Sequence, residues 1–154
     1  GLAGRARRAY LAANRQQRRR GTAALLGRFV TDRVFRSLVS RVAAARASSV
    51  ADPGEASTWV YRFSWRSPAI GWACHCLDVP FWFDCLDAAG VPRIAGDAPP
   101  QRLADEVHGA AAAFVRTGDP GWPAWRPGGR ATHVFDAPAS GVVADGYASV
   151  AALG

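Results

Sequence analysis

Hydrophobic and polar positions alternate most clearly in two stretches. Trp59, Tyr61, Phe63 and Trp65 interleave with Thr58, Val60, Arg62 and Ser64. That period of two, with its aromatic and β-branched residues, predicts a strand ended by Ser67-Pro68. Leu103, Val107, Ala111 and Phe114 recur instead at helical spacing. They predict an amphipathic helix that opens near Pro99-Pro100 and closes at Gly118. A third pattern, Phe35, Leu38, Val42 and Ala45, predicts a helix with one buried face. Thr31 and Asp32 stand just before it and can cap its free backbone N–H groups.

The remaining stretches are less regular. Ser48 to Glu55, with Asp52-Pro53-Gly54 inside it, reads as a turn-rich break. A loop through Gly71 carries His75, Val79 to Phe83 is an aromatic patch, and Pro92 to Pro100 reads as irregular. Thr132 to Phe135 reads as a short strand, and the tail after it is weakly patterned. The first twenty residues favour helix by propensity but lack a clean apolar stripe. One long hydrophobic strand with one short companion is a poor stand-alone sheet, because an unpaired edge invites association. The pattern therefore implies either an oligomer or the last pieces of a larger sheet.

Composition narrows the class. The chain has 154 residues, 49% of them hydrophobic and 20% charged. That is about one domain's worth, and it excludes bulk disorder and a collagen-like fibre. No apolar run reaches the ~18 residues of a spanning helix, so no membrane span is expected. All nineteen cations are Arg and Met is absent; the first reads as compositional bias. Charge is uneven: residues 1–46 hold twelve Arg and one acid, Asp32, whereas residues 47–154 hold seven Arg and eleven acids. The basic end, Arg-rich from residue 1 to 21, is compatible with a polyanion arm, but it lacks interleaved aromatics and any known nucleic-acid motif. No nucleic-acid partner is expected. Arg18-Arg19-Arg20 before an apolar stretch mimics an export leader, but Arg28 and Arg33 interrupt it and no small-residue cleavage site follows. The expected location is the cytoplasm, with secretion left open.

The residues that could carry chemistry are few. His75 lies between Cys74 and Cys76, with Cys85 further on. Structural zinc sites use a Cys-x-x-Cys knuckle, and a one-residue gap does not provide one. In an extended segment the two cysteines would point away from His75. All three cysteines read as small packing residues, too few and too odd in number for a disulfide scaffold. His108 and His133 lack an acid at an obvious distance, and Trp122 and Trp125 read as packing residues.

The order of the pieces is more specific than any one of them. From about Leu25 to Asp136 the chain resembles the carboxy-terminal part of type-B carboxylesterases, the α/β-hydrolase family of para-nitrobenzyl esterases and cholinesterases. Thr31-Asp32-Arg33-Val34-Phe35 resembles the Thr-Asp-x-x-Phe segment that opens a late helix. Tyr61-Arg62-Phe63-Ser64-Trp65-Arg66-Ser67-Pro68 resembles its Tyr-x-Phe strand. Gly71 to Phe83 resembles the loop presenting the catalytic histidine. Phe114-Val115-Arg116-Thr117-Gly118-Asp119-Pro120, with Trp122-Pro123 after it, resembles a Phe-x-x-Thr-Gly-x-Pro helix end and its Trp-Pro sequel.

This resemblance implies an α/β fold. Residues 1–154 would be the carboxy-terminal portion of an α/β-hydrolase domain, its last sheet strands plus covering helices, incomplete on its own. It implies that His75 is the triad histidine, which takes the serine's proton and returns it to the leaving alcohol. Asp78 would brace the loop, and Phe81 and Phe83 would pack it against the core and border an acyl pocket. A complete esterase of this kind acts on small-molecule esters and needs no metal or organic cofactor. The triad runs serine, acid, histidine, yet these residues contain no Gly-x-Ser-x-Gly and no acid before Asp32. The serine and triad acid are expected upstream, and the isolated chain is expected to be inactive. The competing expectation is an inactive remnant of the same fold that serves as a binding or structural protein. Self-association through an exposed sheet edge is also expected.

Overall fold

The computed structural model describes residues 3–49 and 58–153. Its helices are α1 (Gly4–Ala13), α2 (Arg15–Arg19), α3 (Thr22–Thr31), α4 (Ser37–Ser49), α5 (Val79–Trp82), α6 (Val91–Ala95) and α7 (Gln101–Thr117). A π-helical turn, Asp32–Arg36, joins α3 to α4, and a 3₁₀ turn, Ala148–Leu153, follows the last strand. The strands are β1 (Tyr61–Phe63), β2 (Ala131–Phe135) and β3 (Gly141–Ala144). The chain divides into two compact units that interleave along the sequence.

The first unit is built from the described parts of residues 1–60 with 124–131 and 144–154. Tyr10, Val150 and Leu153 are buried together, with Leu25, Phe29, Tyr147 and Ala152 packed on them. Ala43, Val60 and Trp125 form a second cluster lined by Val39, Ala47 and Tyr147. Among these apolar groups lies one buried charge. Asp32 is fully buried; it accepts from the Tyr10 hydroxyl at 2.9 Å and from Arg28 Nε at 2.8 Å, and Arg36 stands 3.5 Å away. Arg28 also donates to Ser149 at 3.1 Å, tying the carboxy-terminal turn to α3. Burial and the adjacent carboxylate raise the Tyr10 phenol well above the ordinary tyrosine range, as expected when ionisation would place a second anion in a dry site.

Two expectations fail here, and a third falls mostly outside the described residues. Asp32 does not open a helix: the helix begins at Thr22, after Gly21, and passes through Asp32 in a π turn. Its carboxylate is drawn inward by Tyr10 and Arg28, so it caps nothing. The Phe35, Leu38, Val42 and Ala45 face is exposed, whereas Ser37 and Ala43 turn inward. The break from Ser48 to Glu55 lies mostly outside the described residues; Ser48 and Ser49 themselves end α4.

The second unit takes in residues 61–123 and 132–143. Its sheet runs β1-β2-β3. β1 pairs parallel to β2, with Tyr61 opposite His133, Arg62 opposite Val134 and Phe63 opposite Phe135. The Ser64 N–H extends the ladder by donating to the Phe135 carbonyl at 2.8 Å. Parallel neighbours need a crossover, and residues 64–130 supply it with α5, α6 and α7. β1 has only three residues, far fewer than the aromatic alternation predicts. β3 and α6 were not expected at all. Gly141-Val-Val-Ala144 is too short to show a period, and Val91–Ala95 is a single turn begun by Pro92, whose missing N–H costs nothing there. α7 matches its pattern at the start, where Leu103, Ala104 and Val107 are buried. It stops at Gly118, whose φ of 75° suits glycine. Phe114, expected on the buried face, is exposed.

Candidate functional site

The loop carrying His75 is held in place by the residues after it. Cys74 to Asp78 forms a turn in which the Leu77 N–H donates to the Cys74 carbonyl at 3.3 Å. Cys76 adopts a φ of 61°. The extended segment considered from sequence is therefore not what forms. His75 and Cys76 are exposed, while Leu77 is fully buried. Burial of Leu77 anchors the turn and leaves the imidazole on its solvent side. The exposed Cys76 corrects its reading as a packing residue; Cys74 and Cys85 are half-buried, and all three thiols are free.

α5 follows at once, with Pro80 in its first turn. Phe81 on this turn is fully buried, its ring 5.0 Å from Phe63 and 5.3 Å from Trp65 between centroids. Phe83 departs from expectation. It is 73% exposed and does not pack the loop against the core, because α5 ends at Trp82 and the chain turns outward through Asp84 at φ 48°.

Asp78 accepts a hydrogen bond from the Tyr61 hydroxyl at 2.9 Å, and that hydroxyl accepts from Trp82 Nε1 at 3.0 Å. The three side chains tie β1 to both ends of α5. From the far side, His108 on α7 bonds the Trp82 carbonyl through Nδ1 at 2.9 Å. Below the loop, Ser67 Oγ accepts the N–H groups of Ala69 and Ile70. Pro68 rests on Gly96, where a Cβ would come within 2.9 Å of the proline ring. Only glycine allows that approach, and its φ of 81° suits glycine as well.

A second polar cluster lies where α7 meets the loop after β2. Ser140 donates to Glu106 Oε2 at 2.6 Å, and Arg102 grips Oε1 through two nitrogens. The Ser140 bond leads in holding the Glu106 carboxyl below its usual range, with Arg102 adding to it. His133 stacks on Trp122 at 4.6 Å, and its buried Nδ1 has no hydrogen-bond partner among the described residues. Burial pushes its pKa down, against a smaller upward pull from Glu106.

The structure thus gathers Asp78 and Phe81 around the turn that bears His75, and leaves Phe83 outside. Sequence reasoning missed the Tyr61–Trp82 clamp and the acid facing His133. Both are long-range: the first joins residues 21 apart, and the second brings Glu106 on α7 toward His133 on β2. Among the described residues no three His, Cys, Asp or Glu side chains converge on a metal-sized site, and no helix is long and apolar enough to cross a membrane.

With this geometry in place, known proteins supply the family. The chain is 36% identical over 140 residues to phenmedipham hydrolase of Pseudarthrobacter oxydans, a match covering 82% of this chain and 25% of that protein. The structure superposes on the Geobacillus stearothermophilus carboxylesterase EST55 with a TM-score of 0.78 and 32% identity, over 100% of this chain and 32% of the other. The chain is a carboxylesterase homologue. Para-nitrobenzyl esterase of Bacillus subtilis is a further relative, 34% identical over 91 residues, 53% of this chain and 18% of its own length. No protein-family model matches. The structural neighbours are α/β-hydrolase carboxylesterases, and this chain superposes on about a third of the length of EST55. This carboxylesterase homologue spans about a quarter of the phenmedipham hydrolase it resembles, and its described residues form a three-stranded sheet.

Proposed function

We propose that this chain is the carboxy-terminal portion of a serine carboxylesterase and supplies its triad histidine, His75. The observation that carries the reading is local. An exposed imidazole sits on a turn in which Leu77, two residues on, is fully buried, and Asp78 after it is tied to β1. The turn thereby presents the imidazole on the solvent side of a backbone anchored through Leu77 and Asp78.

In the complete enzyme, sequence upstream provides the serine and the triad acid. His75 removes the proton from the serine hydroxyl as it attacks the ester carbonyl, then protonates the departing alcohol. It next activates water to release the acid. An imidazole suits both directions because its ordinary pKa lies near neutrality. Asp78 holds the turn through Tyr61 and does not react. The substrate is a small carboxylic ester with a hydrophobic acyl or alcohol part, and neither a nucleic acid nor a metal takes part.

The coding sequence upstream of Gly1 tests this directly. An in-frame Gly-x-Ser-x-Gly followed by an acid, both before the codon for His75, is the expected result. An upstream frame without that serine makes the chain an inactive relative and overturns the proposal.

A further inference from the structure

Trp82 makes three hydrogen bonds that converge on the segment after His75. Its backbone N–H donates to the Asp78 carbonyl at 2.9 Å. Its indole Nε1 donates to the Tyr61 hydroxyl at 3.0 Å, and that hydroxyl donates to Asp78 Oδ2 at 2.9 Å. Asp78 is thus gripped by carbonyl and carboxylate alike, in a circuit that begins and ends on one tryptophan. The Trp82 carbonyl accepts from His108 Nδ1 on α7 at 2.9 Å, which braces the circuit against a second helix. All of these residues belong to the same compact unit.

The direction of the bonds matters. An indole N–H can only donate, and an ionised carboxylate can only accept. The phenol takes the indole proton on a lone pair and turns its own proton to Asp78. The indole thereby orients the phenol, and the phenol orients the carboxylate. Leu77 and Phe81 are fully buried and already hold the segment to the core. Apolar burial has no direction of its own, so the circuit is what sets the orientation of Asp78.

Overlapping backbone turns carry that orientation back to the imidazole. The Val79 N–H donates to the Cys76 carbonyl at 3.2 Å and the Leu77 N–H to the Cys74 carbonyl at 3.3 Å. His75 lies inside the second of these. Cys76, the residue after it, has a φ of 61°, a conformation that a residue with a side chain keeps only where its surroundings impose it. Misplacing a catalytic group by about 1 Å costs on the order of a hundredfold in rate.

We propose that Trp82 is a positioning residue for the triad histidine, acting through the Tyr61 hydroxyl and Asp78 and exchanging no proton itself. The inference rests on the reading of His75 as that histidine.

Steady-state kinetics on para-nitrophenyl acetate, with the full polypeptide that carries this chain, test it. His75→Ala should abolish turnover. Trp82→Phe, which keeps a ring beside Tyr61, and Tyr61→Phe should each lower kcat roughly tenfold with KM unchanged, at a temperature where circular dichroism shows both variants folded. The double variant should be no slower than Tyr61→Phe alone, because a residue acting through the phenol has nothing to act on once the hydroxyl is gone. Where Trp82→Phe does not fold, Tyr61→Phe decides by the same two constants. Losses that multiply in the double variant, a change confined to KM, or an unaltered kcat in Tyr61→Phe overturn the proposal and leave His75 in its role. Full turnover in His75→Ala, or none in the unaltered polypeptide, overturns it together with the esterase reading beneath it.

Discussion

The Tyr61 hydroxyl stands between Asp78 and Trp82, donating to one at 2.9 Å and accepting from the other at 3.0 Å. One side chain on β1 thereby fixes both ends of the turn after His75. Tyr61→Phe removes one donor and one acceptor and leaves the ring against Trp82 and Phe135, 5.4 and 5.8 Å away. The expected loss is about 1–2 kcal/mol, read as a lower urea midpoint with an altered Trp emission spectrum. An unchanged midpoint and spectrum would mean that the clamp contributes nothing.

Asp32 should be far less tolerant. Its carboxylate is the only acid within the first 46 residues and is fully buried between Tyr10, Arg28 and Arg36. Asp32→Ala strands the Tyr10 hydroxyl and leaves two guanidinium groups without their anion, at an expected cost of about 3–5 kcal/mol. Tyr10→Phe keeps the ion pairs and should cost only about 1–2 kcal/mol. Denaturant unfolding of the two variants checks the order, and equal losses would contradict it.

Acid should weaken the second unit through His133. Burial lowers its pKa in the folded chain, so below about pH 6.5, the ordinary histidine value, the unfolded chain binds the proton more readily. Stability is then complete above that pH and falls as pH drops toward the depressed folded value. Glu106, whose pKa is also lowered, adds a further loss at more acidic pH by the same sign. Urea midpoints from pH 8 to pH 5 should decline in the natural chain. His133→Phe, which keeps a ring over Trp122, should flatten the upper part of that decline. An identical slope in both would contradict the assignment.

How much of this could be read beforehand depended on how local each signal was. Helix α7 was legible because Pro100, Leu103, Val107 and Gly118 are start, face and stop signals within one short stretch. Around His75 a loop was legible from Gly71 onward, but the turn from Cys74 to Asp78 was not, because it depends on burying Leu77. Asp32 misled because a polar residue before an apolar run looks like a cap, and only the fold reveals Tyr10, 22 residues back. The Phe35, Leu38 and Val42 stripe was correctly seen as apolar, but periodicity reports a face and says nothing about what covers it. Phe83 failed for the same reason. β3 was too short for any period, and the parallel pairing of β1 with β2 joins residues about seventy apart.

Purified on its own, the chain should hydrolyse activated esters no faster than free imidazole. Loss of a triad serine alone costs on the order of a million-fold in a related mechanism. A spectrophotometric assay with para-nitrophenyl acetate, on the chain and on His75→Ala, checks this. Robust turnover abolished by the substitution would mean that the chain holds a nucleophile of its own.

The central claim is that His75 serves a serine carried elsewhere in the same polypeptide. It is tested most directly by labelling source-cell lysate with a fluorophosphonate, which marks activated serines, and sequencing peptides from the labelled bands. The account predicts peptides of this chain in a labelled polypeptide much larger than 16.3 kDa. Their recovery only from an unlabelled species of about that small size would contradict it.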